Sequence, residues 1–98
     1  MKKITLDLVI SEQKKNDPEF AENYQRELLI NEISKMVVNL RNAAHLTQDE
    51  LAKKAPTTQP VIARIESGTD KRIPCLELLA RIAKASHAKL HISFDQDV

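Results

Sequence analysis

Residues 46–68 of this chain, LTQDELAKKAPTTQPVIARIESG, constrain its fold most, because two short helical patterns are held there by a tight, polar turn. At the start of the first, the Thr47 hydroxyl can accept a hydrogen bond from the Glu50 amide while the Glu50 carboxylate reaches back to the amide of Thr47. Leu51 and Ala52 then face inward. Lys53 and Lys54 fall in the last turn, where cations suit the carbonyl end of the helix dipole. The helix is predicted to stop near Ala55-Pro56. Thr57 or Thr58 caps the second helix, and Pro60 sits in its first turn, where no amide bond is lost. Ile62 and Ile65, with Val61 as a further candidate, make an apolar stripe, leaving Thr58, Gln59, Pro60, Ala63 and Arg64 on the other face. Ser67-Gly68 ends this helix, since glycine readily takes the left-handed conformation that closes one.

Four segments then carry a resemblance: LTQDELA, the TTQ start of the second helix, IARIESG, and the IPCLELLARIAKA that follows. From about Met36 to about Leu90 the chain resembles the phage-repressor (Cro/C1, or Xre) helix-turn-helix family. The resemblance implies a recognition helix beginning near Thr58, with its N-terminal residues at base edges in the major groove of operator DNA. It also implies an ion pair between Arg41 and Glu66 inside the domain.

Side-chain chemistry agrees with that role. Gln59 can present a bidentate amide to adenine, Arg64 can reach guanine or a phosphate, and Pro60 offers an apolar surface to a thymine methyl. Gln48 can donate to a phosphate, and Lys71 and Arg72 lie in the loop beyond the recognition helix, so these contacts position the protein rather than read sequence. The expected DNA-binding set is Gln48, Thr57, Thr58, Gln59, Pro60, Ala63, Arg64, Lys71 and Arg72. Polar side chains on a solvated helix face need no function by themselves; it is their place in the intact motif that gives them one.

The net charge is only +1, weak for a DNA binder, which points to a localised basic surface or to help from a second copy in a homodimer. Charge is segregated along the chain. An acidic excess occupies the first third, while Lys53, Lys54, Arg64, Lys71 and Arg72 cluster around the motif. Aromatic residues are 3% and tryptophan is absent, so the core is aliphatic. With 98 residues, the chain can build one modest core with appendages. No signal-peptide pattern and no apolar run long enough to span a bilayer is visible, and the expected location is cytoplasmic, away from membranes. The one cysteine cannot make an internal disulfide.

Around the motif, Ile4, Leu6, Leu8 and Ile10 alternate with Lys3, Thr5, Asp7 and Val9 as in a strand. Asp17-Pro18-Glu19 opens a helix. Its apolar positions are Phe20, Tyr24 and Leu28, then Ile33, Met36 or Val37, Leu40 and Ala44. This predicts one long helix, or two sharing a bend near Glu27 to Ile30, ending by His45. A last helix runs from Pro74 to about Ser86 with Leu76, Leu79, Ile82 and Ala83 inward. Lys89 to Phe94 reads as a strand with Leu90, Ile92 and Phe94 on one face, and it needs a partner strand. The fold class is therefore mostly α: a phage-repressor-like helix-turn-helix bundle with short flanking β-strands. Its expected divisions are an N-terminal strand and helix arm over 1–30, the DNA-binding domain over 31–88, and a C-terminal strand and tail over 89–98.

Three positions where the family favours glycine carry His45, Pro56 and His87. Histidine can adopt a left-handed conformation at some cost; proline cannot, so the turn at Pro56 must differ from the usual geometry or the helix must stop early. Cys75 stands where the family usually has a capping serine, and a thiol is a weaker acceptor. Cys75, His87 and His91 lack the second cysteine that a zinc finger needs, and nothing supplies a thiol nucleophile with an orienting base. No catalytic residue, metal or cofactor is expected, and the chain is read as no enzyme.

The flanks give a second, looser resemblance. The N-terminal segment, DPEFAENYQREL and the KLHISF tail together look like HigA-type antitoxins of toxin–antitoxin pairs. That resemblance implies a homodimer that represses its own operon and neutralises a RelE/HigB-type mRNA-cleaving toxin. The alternative is a free-standing Xre-family repressor whose N-terminal strand and helix complete the core or the dimer.

Overall fold

The computed structural model describes residues 3–6 and 18–96. In chain order the elements are β1 (Lys3–Leu6), α1 (Pro18–Ala43), α2 (Gln48–Lys54), α3 (Gln59–Ser67), α4 (Leu76–Ala85) and β2 (Lys89–Ile92). The mostly helical fold expected from the sequence is the fold observed, down to the short strands that flank the bundle. The expected continuation of the first strand through Leu8 and Ile10 lies outside the described residues.

One core joins the helices. Ile33 and Val37 of α1, Leu51 and Ala52 of α2, Ala55, Ile62 of α3, and Leu79 and Ile82 of α4 bury against one another. Leu51, Ile62, Ile82 and Val37 are the largest of its fully buried side chains. Burying an aliphatic side chain of this size stabilises by about 1.5–3 kcal/mol, so these four are the main apolar anchors of a chain without tryptophan. The choice between Met36 and Val37 resolves to Val37, 2% exposed.

α1 is one helix of 26 residues, and the alternative of two helices with a bend near residues 27–30 is not realised. It runs unbroken through residues 30 and 31. Phe20, expected on its apolar stripe, is 53% exposed and stacks on Tyr24 with ring centroids 6.0 Å apart. The stripe inward from there is carried by Ala21, Ile30, Ile33, Val37 and Leu40.

Three helix ends show how the chain turns with little glycine. After α1, Leu46 N–H donates to the Arg41 carbonyl and His45 N–H to that of Asn42; after α4, Ala88 donates to Ala83 and His87 to Lys84. Both are paired closures in which the residue past the cap is left-handed, and His45 and His87 accordingly have φ of 58°. After α2 the longer bond remains, from Thr57 N–H to the Ala52 carbonyl at 2.9 Å. Pro56 has no N–H for the shorter one and cannot take a positive φ, so this turn keeps half of the motif, as the sequence required. Gly68, at φ 69°, ends α3.

α4 begins at Leu76, two residues after Pro74. Its cap, Cys75, makes no side-chain hydrogen bond to the first turn. Leu76 is 54% exposed and not inward as expected. At 100° per residue it lies about 90° from the centre of the stripe formed by Leu78, Leu79, Ile82 and Ala83, and Leu78 takes its place against the core.

The partner that the C-terminal strand needs is β1. The two pair in parallel, Lys3 with Lys89 through Leu6 with Ile92, and the whole helical bundle is the connection between them. β2 stops at Ile92, short of the expected Phe94. Leu90 packs on the core, Ile92 is 41% exposed and Phe94 is 95% exposed, so only the first of the three expected inward residues finds helix to bury against.

Candidate nucleic-acid interface

α2 and α3 meet at the turn that Thr57 and Thr58 complete. Thr47 caps α2 with both halves of the capping box: Glu50 N–H donates to Thr47 Oγ1 at 3.1 Å, and Thr47 N–H donates to Glu50 Oε1 at 2.8 Å. The backbone bond from Thr47, with its hydroxyl contact second, holds the Glu50 carboxyl below its usual range. Of the two candidate caps for α3, Thr58 serves, accepting from Val61 N–H, and Pro60 sits in the first turn. Thr57 is half-buried. Gln59, Pro60 and Arg64 are exposed, and Ala63 is half-buried.

Behind this face lies a polar chain that begins at an ion pair. Arg41 Nε donates to Glu66 Oε2 at 2.7 Å and Nη2 to Oε1 at 3.0 Å, while Nη1 donates to the Leu46 carbonyl at 2.9 Å. The hydrogen bond to Glu66 raises the Arg41 pKa above its ordinary value. Arg41 and Glu66 are therefore brought together, across α1 and α3. Ser34 Oγ fastens the same end of α3 by donating to the Glu66 carbonyl at 2.6 Å.

Glu66 then sets the direction of two amides. Gln48 Nε2 donates to Glu66 Oε1 at 3.0 Å, which turns Gln48 Oε1 toward Gln59, whose Nε2 donates to it at 2.8 Å. A carboxylate accepts only, so each amide in turn must present nitrogen on one side and oxygen on the other. Among the described residues, Gln59 is left with one N–H and its carbonyl oxygen free. Those are the donor and acceptor that adenine N7 and N6 require in the major groove.

At the other end of α3, Asp70 gathers two arginines. Arg72 donates to it through its backbone N–H at 2.9 Å, through Nε at 3.1 Å and through Nη2 at 3.0 Å, and Arg64 Nη1 lies 3.7 Å away. The side-chain bond from Arg72, its backbone N–H and the nearby charge of Arg64 lower the Asp70 carboxyl to about 2, and Asp70 in turn raises Arg72. Lys71 is exposed and makes no ion pair among the described residues. Sequence reasoning passed over Asp70 and Ser34. Asp70 was visible as an aspartate two residues before Arg72, the spacing of a side-chain-to-backbone turn; Ser34 carried no local signal.

Comparison with known proteins agrees with this geometry: residues 38–85 match the family model described as helix-turn-helix. The matched span takes in the end of α1, all of α2 and α3, and α4. Over residues 38–85 the fold is that of a helix-turn-helix bundle. A domain of this kind suggests a DNA-binding transcription regulator. Searches of the curated proteins and of the solved structures found no match. Among the described residues, no helix is long and apolar enough to cross a membrane.

Proposed function

We propose that the helix-turn-helix domain reads double-stranded operator DNA through α3, with Gln59 and Arg64 at base edges. Thr57, Thr58, Pro60 and Ala63 pack beside them, and Gln48, Lys71 and Arg72 serve the phosphate backbone. The observation that carries this reading is the chain Arg41–Glu66–Gln48–Gln59, which holds an exposed amide at the start of α3 with one donor and one acceptor unused. Orienting the amide before DNA arrives lowers the entropy lost on binding. One monomer offers few phosphate contacts, so the working form is a homodimer on a palindromic site with half-sites about one helical turn, ~34 Å, apart.

The finer reading is an antitoxin that represses its own operon and neutralises a RelE/HigB-like mRNA-cleaving toxin, with residues 1–30 as the arm, 31–88 as the DNA-binding domain and 89–98 as the strand and tail. It rests on the flanking segments and on the acidic excess of the first third, which would mask a cationic RNA-cleaving surface. The pairing of β1 with β2 favours the second reading, a free-standing repressor, because it gives the N-terminal strand a place in the fold of the chain itself. Backbone amide shifts of the labelled chain, followed as a duplex selected from a randomised pool is added, test the DNA reading: changes should centre on residues 57–64 and 71–72. Changes confined to α1 and β2 would overturn it. Co-expression with the product of the neighbouring gene, followed by pull-down and growth rescue, tests the antitoxin reading, and absence of a co-purifying partner favours the free repressor.

A further inference from the structure

A second basic site lies outside the face just described. Lys54 and Pro56, at the end of α2, and Arg81, Lys84, Ala85 and His87, on the last turns of α4, line an open cleft of about 490 Å³. Three of the six, Lys54, Arg81 and Lys84, are cationic at neutral pH and none is acidic, with Arg81 already paired to Glu77. Arg81 is aimed by Glu77, which accepts from its Nη1 at 2.9 Å, and its Nε is buried without a hydrogen-bond partner among the described residues. A buried N–H left unmade is costly, and the Arg81 head is held by Glu77 alone among the described residues while the residue lines the cleft. Lys54 and Lys84 are exposed and make no close ion pair among the described residues, although the Glu50 carboxylate, one turn back on α2, lies within electrostatic reach of Lys54.

We propose that this cleft binds a phosphate of the DNA backbone, anchoring the duplex beside the turn that precedes α3, whereas Lys71 and Arg72 lie beyond the other end of that helix. The inference rests on the DNA reading above. Continuity with that face favours a phosphodiester: Pro56 belongs both to the wall of the cleft and to the turn that delivers Thr57, Thr58 and Gln59 to α3. A duplex seated on Gln59 would bring a strand of phosphates past this turn. The walls, being two helix ends, offer cationic tips and no strand edge along which an acidic peptide could lay its backbone. A contact of this kind carries no base information; it adds affinity on every sequence.

The test is fluorescence anisotropy of full-length Lys54→Gln/Lys84→Gln on two duplexes, one selected by the wild-type chain and one of random sequence, across a range of salt. Each phosphate contact contributes roughly 0.9 to the slope of log affinity against log salt, so losing two should flatten the slope by about 1–2 and weaken both duplexes several-fold. Base preference should not change. Lys35→Gln on α1, an exposed lysine far from the turn in sequence, is the control for net charge and should leave the slope nearly as it was. An unchanged slope in the double variant overturns the anchor, as does an equal loss in Lys35→Gln, as does weakening of the selected duplex alone. Binding of an acidic protein partner that the double variant loses while its DNA slope stays intact would overturn it in favour of a peptide site. If the wild-type chain binds neither duplex, the DNA reading itself fails, which is a different result from a wild-type chain that binds and a double variant that binds alike.

Discussion

Removing Glu66 should cost this domain stability and, on the proposed reading, sequence preference, because one carboxylate holds both Arg41 and the Gln48 amide that orients Gln59. Its side chain is 6% exposed and that of Arg41 is 18% exposed. Glu66→Ala leaves the guanidinium with only the Leu46 carbonyl, and Gln48 Nε2 with no acceptor. Breaking a buried ion pair from one side costs about 3–5 kcal/mol, against about 0.2–1 kcal/mol for a pair in water. Arg41 keeps some solvent and one carbonyl, so the lower end applies, about 3 kcal/mol. In a domain of this size that is a fall in Tm of roughly 12–24 °C. Urea unfolding followed by far-ultraviolet circular dichroism measures it. Arg41→Ala should cost a similar amount, and the double variant should cost less than the sum by about 2 kcal/mol, since neither charge is then left alone. At temperatures where Glu66→Ala is still folded, its preference among duplexes should weaken through Gln59. A cost below about 1 kcal/mol that simply adds to that of Arg41→Ala would refute the reasoning.

Three other perturbations follow from particular contacts. Asp70, lowered to about 2 from 3.8 by Arg72 and Arg64, contributes stability that is present above its unfolded value and is lost as pH falls from there through about 2; carboxyl chemical shifts should show that midpoint, and titration near 3.8 would remove the clamp from the account. Pro56→Gly restores an N–H and a free φ to the turn after α2, so DNA affinity should be equal or tighter, while the loss of proline's restriction on the unfolded chain costs about 0.4–1 kcal/mol; a clear loss of affinity in a binding titration would show that function requires the present turn. Cys75→Ser gives α4 the side-chain cap it lacks and should raise stability by about 1 kcal/mol in urea unfolding, with no gain expected if the hydroxyl finds no amide in the first turn.

The elements that could be read from the sequence were those with local chemistry. Thr47 and Glu50 state a capping box in four letters, Gly68 states a left-handed stop, and His45 and His87 stand where such a stop falls. Residues that depend on what lies across space could not be read this way. Leu76 has helical spacing with Leu79 and Ala83, yet a stripe has edges, and only the position of the neighbouring helices decides which residue is on the edge. Phe94 continues the alternation of β2 past the last place where there is core to cover. In the candidate interface, Gln59 and Arg64 were visible as exposed polar positions on the second helix of the motif. The bond from Gln59 to Gln48, and from there to Glu66, was not, because residues 11 and 18 positions apart meet only when the helices pack. Asp70 shows the converse, a local signal that looked like loop polarity until two arginines closed on it.

The most direct test of the central claim, that α3 reads DNA sequence through the oriented Gln59 with Arg64, is parallel selection from a randomised duplex pool by the wild-type chain and by Gln59→Ala/Arg64→Ala. The account predicts that wild type enriches a palindromic site with two half-sites about one turn apart, and that the double variant, still folded, loses about 1–3 kcal/mol of discrimination at the positions these side chains face. Enrichment of the same site, to the same degree, by both proteins would contradict it.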